Sequence, residues 1–96
     1  MRPLILLTAL STGCAAHAAR PADLHVQYDC GGYRFAAHYG DQFANVTLPD
    51  GTALHLRQVV AASGARYSDG TNTLAEQGGV ARLELADAVH PQCSPL

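Results

Sequence analysis

Ninety-six residues set a ceiling of one domain. Six arginines and no lysine stand against eight aspartates and glutamates, giving a formal charge of −2. That balance argues against a nucleic-acid binder, which needs a basic patch or stripe.

The chain opens with Met1-Arg2 and then the apolar run Leu4-Ile5-Leu6-Leu7-Thr8-Ala9-Leu10. A charged start followed by a short apolar stretch reads as a signal peptide over residues 1–13. The run is too short to cross a bilayer as a helix. Pro3, Gly13 and Cys14 follow no amphipathic period, so a buried N-terminal helix fits poorly. Two processing sites compete. Ser11-Thr12-Gly13-Cys14 looks like a bacterial lipobox, with a small residue before the cysteine. The usual Leu three places before that cysteine is missing: Ser11 stands there, and Leu10 is one place too early. The alternative is Ala16-His17-Ala18, an A-x-A site for ordinary secretion with a cut near residue 18. The three cysteines favour the lipobox. If Cys30 and Cys93 pair, Cys14 is left over, and either acylation or removal with the signal peptide accounts for it. Acylation of Cys14 is the expectation, with the protein exported to the periplasm and anchored to the outer membrane. Residues 14–23 then form a tether, small, apolar and punctuated by Pro21. Loss of Arg2 with the signal peptide takes the charge from −2 to −3.

The folded domain is expected over residues 24–96. From Leu24 the pattern has period two, with Leu24, Val26, Tyr28 and Cys30 on one face and His25, Gln27 and Asp29 on the other. After a Gly31-Gly32 turn, Tyr33, Phe35, Ala37 and Tyr39 alternate with Arg34, Ala36 and His38, a strand with an aromatic inner face. Gly40-Asp41 turns again. Gln42 to Leu48 is a third strand, with Ala44, Val46 and Leu48 on one side. Pro49-Asp50-Gly51 is a hairpin connection, since Pro presets φ and Gly takes the positive one. The fourth strand runs from Thr52 to Val60, with Leu54 and Leu56 inward. Short strands follow at Tyr67–Asp69 and Thr71–Glu76, and the last runs from Val80 to Ala86 after a Gly78-Gly79 turn. The tail from Asp87 to Leu96, with Pro91 and Pro95, reads as irregular. Seven short strands at regular spacing predict an all-β sandwich or barrel.

The most distinctive run is Ala62-Ser63-Gly64-Ala65-Arg66-Tyr67-Ser68-Asp69-Gly70. Glycines frame two hydroxyls and a guanidinium, a tight donor-bearing loop shaped for a groove. The plainer alternative is a β-turn whose Tyr67 returns to the core. Other chemistry is weaker. His17, His25, His38, His55 and His90 show no H-x-H or H-x-x-x-H spacing and read as surface histidines, so neither a metal nor a cofactor is expected. Ser63 lacks the G-x-S-x-G elbow of a serine hydrolase. Glu76 and Glu84 carry no signal for an acid–base pair. The sequon Asn45-Val46-Thr47 falls inside a strand of a bacterial-looking export product and is discounted.

Ser63-Gly64-Ala65-Arg66-Tyr67 resembles the SGxxY signature of the MliC/PliC family, the membrane-bound and periplasmic inhibitors of c-type lysozyme. Tyr28-Asp29-Cys30 resembles the family's YxC opening, and Val46-Thr47-Leu48-Pro49-Asp50-Gly51 its V-x-L-x-x-G turn. Gln77-Gly78-Gly79-Val80-Ala81 lies where the family usually has a Lys-Gly pair followed by an Ala, and Cys93 where its closing cysteine falls. The resemblance covers roughly residues 26 to 93. It implies a small antiparallel β-barrel of about eight strands, which removes exposed edges. It also implies one disulfide, Cys30–Cys93. In an oxidising compartment such a staple suits a domain this small, and it should contribute on the order of 4 kcal/mol.

The implied partner is a c-type lysozyme, and the implied function is inhibition rather than catalysis. The loop Ser63, Gly64, Ala65, Arg66 and Tyr67 is expected to enter the lysozyme cleft, with Ser63 donating to a carboxyl oxygen. The implied second contributor is a lysine in another loop, where this chain has Gln77 before Gly78. The aromatic usually just upstream is replaced by Leu74-Ala75. Gln77 donates an amide N–H without charge, which weakens the ionic half of the plug. The alternative is a structural or envelope-binding barrel of the same fold that does not inhibit.

Overall fold

The computed structural model describes residues 23–96, so the signal peptide, Cys14 and nearly all of the tether lie outside the described residues. Eight strands follow one another: β1 Leu24–Asp29, β2 Arg34–Gly40, β3 Phe43–Thr47, β4 Ala53–Val59, β5 Ala65–Ser68, β6 Thr73–Gln77, β7 Val80–Glu84 and β8 Val89–Pro95. Each pairs antiparallel with the next, and β8 returns to β1 to close the barrel. The expected all-β barrel with a Cys30–Cys93 disulfide is the fold observed.

The period-two alternation builds the interior. Tyr28, Phe35, Ala37, Tyr39, Ala44, Val46, Leu56, Tyr67, Leu74, Ala81 and Leu83 turn inward and are buried. Small residues on some strands make room for rings from others, which is how a narrow barrel fills itself. Tyr39 sits 5.5 Å from Tyr67, ring to ring, and its hydroxyl lies 2.8 Å from that of Tyr28. Burial first, then that hydrogen bond and the nearby Glu76 charge, hold Tyr39 protonated far above the ordinary phenol range.

The tail departs from expectation. Val89–Pro95 is a full strand despite its prolines. Between the register pairs Ala81↔Cys93 and Leu83↔His90, β8 advances one residue further than β7, a bulge that contains Pro91. A bulge residue owes no ladder hydrogen bond, so proline is tolerated there. β5 also begins earlier than expected, at Ala65 rather than Tyr67. Leu24 has inward parity but stays exposed, because β8 reaches β1 only at Tyr28 and Asp29.

Candidate functional site

β4 ends at Val59, and the connection to β5 runs through Val60 to Gly64, where the backbone takes φ 68°. β5 then pairs with β6 from Ala65↔Glu76 onward. At the far end of β6, Gln77↔Val80 brackets the two-residue turn Gly78-Gly79, with φ of 62° and 86°. Two successive positive φ values define a type I′ turn, whose twist matches the flanking strands and which favours glycine at both places. The carboxylate of Glu76 accepts a hydrogen bond from the Gly79 N–H at 3.0 Å and fixes the turn.

These two connections meet. A β-carbon at Gly64 would fall inside the van der Waals envelope of the Glu76 carbonyl oxygen and 3.1 Å from Gln77 Cβ. The backbone at Gly64 therefore lies directly on the β6–β7 turn, and only glycine fits there. The result is one surface at one end of the barrel, with an open groove of about 560 Å³ lined by Ser63, Arg66, Gln77 and Arg82 among alanines. Of the five residues from Ser63 to Tyr67, Ser63, Gly64 and Arg66 are exposed, while Ala65 and Tyr67 are buried. Tyr67 does return to the core, as the plainer alternative expected; the loop it anchors is nonetheless joined to a second one.

The register supplies what spacing could not. Arg66 pairs with Ala75, and Ala75 pairs with Arg82. Two guanidinium side chains thus flank one alanine on the outer face, with Cα atoms two strand spacings or about 10 Å apart. Arg82 donates from Nε to Glu84 at 2.7 Å. Arg66 forms no ion pair among the described residues. Around this surface Val59, Val60 and Val80 stand exposed, Val60 almost fully at 96%. Sequence alone could not place Arg66, Arg82 or the three valines on this surface, because only the strand order brings them to it.

Glu76 and Glu84 serve different partners. Glu76 has the inward parity of Leu74 and serves the turn, whereas Glu84 has the opposite parity on β7 and holds Arg82. Asn45 of the sequon is half-buried in β3, with its Oδ1 2.8 Å from His55 Nδ1.

Comparison with known proteins gives two findings. The family model described as membrane-bound lysozyme-inhibitor of c-type lysozyme, MliC, matches residues 28–92. A protein of Yersinia enterocolitica named membrane-bound lysozyme inhibitor of C-type lysozyme is 38% identical over 79 residues. That alignment covers 81% of this chain and 66% of the relative, so the chain spans just under two thirds of the relative's length. No solved structure matches the chain significantly.

Proposed function

We propose that this chain, which belongs to the MliC family of membrane-bound lysozyme-inhibitors of c-type lysozyme, blocks the active-site cleft of a c-type lysozyme with the Ser63–Tyr67 segment and the Gln77-Gly78 turn. The observation that carries this reading is the packing of Gly64 against Glu76 and Gln77, which makes one surface of two loops. A c-type lysozyme cleaves glycans with two carboxyl groups in a cleft, one kept protonated and one ionised. Ser63 brings a hydroxyl, Gln77 an amide N–H, and Arg66 a guanidinium without an ion-pair partner among the described residues. In this reading Arg66 supplies the cation that Gln77 lacks, and a charged donor forms the stronger bond to a carboxylate. The exposed valines form the apolar part of the contact, and the buried Tyr67 holds the loop from within. Export, acylation of Cys14 and anchoring to the outer membrane on its periplasmic side belong to the same proposal.

One observation favours a second reading: Gln77 stands where the family pattern has lysine. A barrel that keeps the fold and has lost inhibition would show that change. Titration of the purified protein into a c-type lysozyme acting on cell walls separates the two. Inhibition by the wild type is expected. Ser63→Ala should cost about 1–3 kcal/mol by leaving a desolvated carboxyl underserved, roughly a tenfold to hundredfold weaker inhibition. Gln77→Lys should tighten inhibition and steepen its loss with added salt. If the wild type fails and Gln77→Lys creates inhibition, the second reading is right. If Ser63→Ala inhibits as well as wild type, the loop is an ordinary turn.

A further inference from the structure

Thirteen positions separate His25 from His38, too many for any local ligand motif. The β1–β2 register nevertheless sets them directly opposite, His25↔His38, on the outer face of the barrel. Their rings stack with centroids 4.1 Å apart and planes within 4°. Asp23, just before β1, completes the cluster: its Oδ1 lies 2.5 Å from His38 Nε2 and 3.7 Å from His25 Nε2. One ligand atom from each of the three residues lies within 4.8 Å of the others. Phe43 meets the His38 ring edge-on at 6.0 Å and supports it from β3. The row continues outward along the ladder as His38↔Asn45↔His55, so three strands beyond β1 carry polar side chains on the same line.

We propose that Asp23, His25 and His38 form a binding site for a divalent transition-metal ion of the zinc class, a function separate from the loops at Ser63 and Gln77. The donor set decides the class: two imidazole nitrogens and one carboxylate oxygen suit zinc or copper, whereas calcium and magnesium take oxygen ligands throughout. The distances decide the fit. Zinc bonds of about 2.0–2.2 Å in tetrahedral array place ligand atoms roughly 3.3–3.5 Å apart. Coordination also asks one ring to leave the stack, because a bound ion lies in the plane of each imidazole and the two planes are parallel; side-chain torsions of the exposed Asp23 and His25 supply that turn. Three protein ligands leave a fourth position open. His25 and His38 line a shallow depression together with Gln27, Ala36, Asn45 and Thr47, through which solvent or a donor from another molecule would reach a bound ion. β8 separates this site from β7, and β3 and β4 separate it from β5. Metal binding therefore does not depend on the inhibitory reading.

The test is calorimetric titration of Zn2+ into the untagged exported protein, with imidazole chemical shifts followed by NMR. One ion per chain is expected, and it should move the ring signals of His25 and His38 while leaving His90 in place. Asp23→Asn should weaken binding about 10–100-fold, the range for a carboxylate that orients or joins a histidine ligand. His25→Ala and His38→Ala should weaken it further still. These side chains stand on the outer face, so circular dichroism should show all three variants folded without metal. Cys14→Ser, His17→Ala and His90→Ala should bind as wild type does. Absence of binding at millimolar zinc overturns the proposal. So does binding that survives His25→Ala and His38→Ala in folded protein.

Discussion

At position 64 two constraints coincide: a left-handed backbone, φ 68°, and a carbonyl oxygen where a β-carbon would sit. An L-residue in that region costs about 1–2 kcal/mol before any clash is counted. Gly64→Ala should therefore lower the melting temperature by at least roughly 4 °C, read by thermal unfolding of the variant beside wild type. It should also weaken lysozyme inhibition with the Ser63 hydroxyl still present, because relieving the clash moves the loop off the β6–β7 turn. Unchanged inhibition would mean that the two loops act separately. The glycine and its neighbours were legible in the sequence as a framed, donor-bearing turn. The place of Arg66 beside Arg82 was not, because it is written in the register of three strands rather than in any spacing. The same holds for Asp23, His25 and His38. A rule that searches for ligands a few residues apart is blind to a cross-strand pair thirteen residues apart.

Among the strands, those with clean alternation declared themselves. β2 and β3 carry their inward residues where period two puts them, since β3 is paired on both sides along its whole length and β2 from Ala36 to Tyr39. β8 was hidden, because Pro91 and Pro95 mimic an irregular tail and the bulge that shelters Pro91 exists only once β7 is beside it. Closure of the barrel rests on this strand. The β1–β8 seam is limited to Tyr28↔Pro95 and Asp29↔Ser94, with the Leu96 N–H donating to the Gln27 carbonyl at 2.8 Å just beyond. The disulfide crosses the same seam, from Cys30 just past the end of β1 to Cys93 within β8, over a separation of 63 residues. Cross-linking a loop of that length removes chain entropy from the unfolded state worth about 4 kcal/mol. The paired variant Cys30→Ser/Cys93→Ser should lose stability of about that size in urea unfolding. Native-state hydrogen exchange should then speed up first in β1 and β8, ahead of β2 and β3. Uniform acceleration across all eight strands would show that the staple acts on the unfolded chain alone and that the seam holds without it.

For the whole molecule, charge and address bear on the same question. A formal charge of −2, or −3 once Arg2 is removed, favours approach to a basic partner, though so small a charge steers weakly. In the proposed reading local concentration matters more than long-range attraction, and an anchor would supply it by holding the chain where a lysozyme meets the envelope. The proposed anchor is Cys14, the cysteine with no place in the Cys30–Cys93 pair. A single acyl chain binds a membrane only marginally, and stable attachment takes further chains, which lipoprotein processing at a cysteine adds. Cys14→Ala should therefore move the protein from the membrane fraction to the soluble periplasmic fraction, with its barrel and its inhibition in solution unchanged. Mass spectrometry of the wild type should find an acylated N-terminal cysteine. A wild type that is already soluble and begins near Ala19 would assign the cut to Ala16-His17-Ala18, making the inhibitor a diffusing periplasmic protein. It would then have to reach its proposed partner by affinity alone, and the Arg66 guanidinium, which has no ion-pair partner among the described residues, would carry more of the encounter.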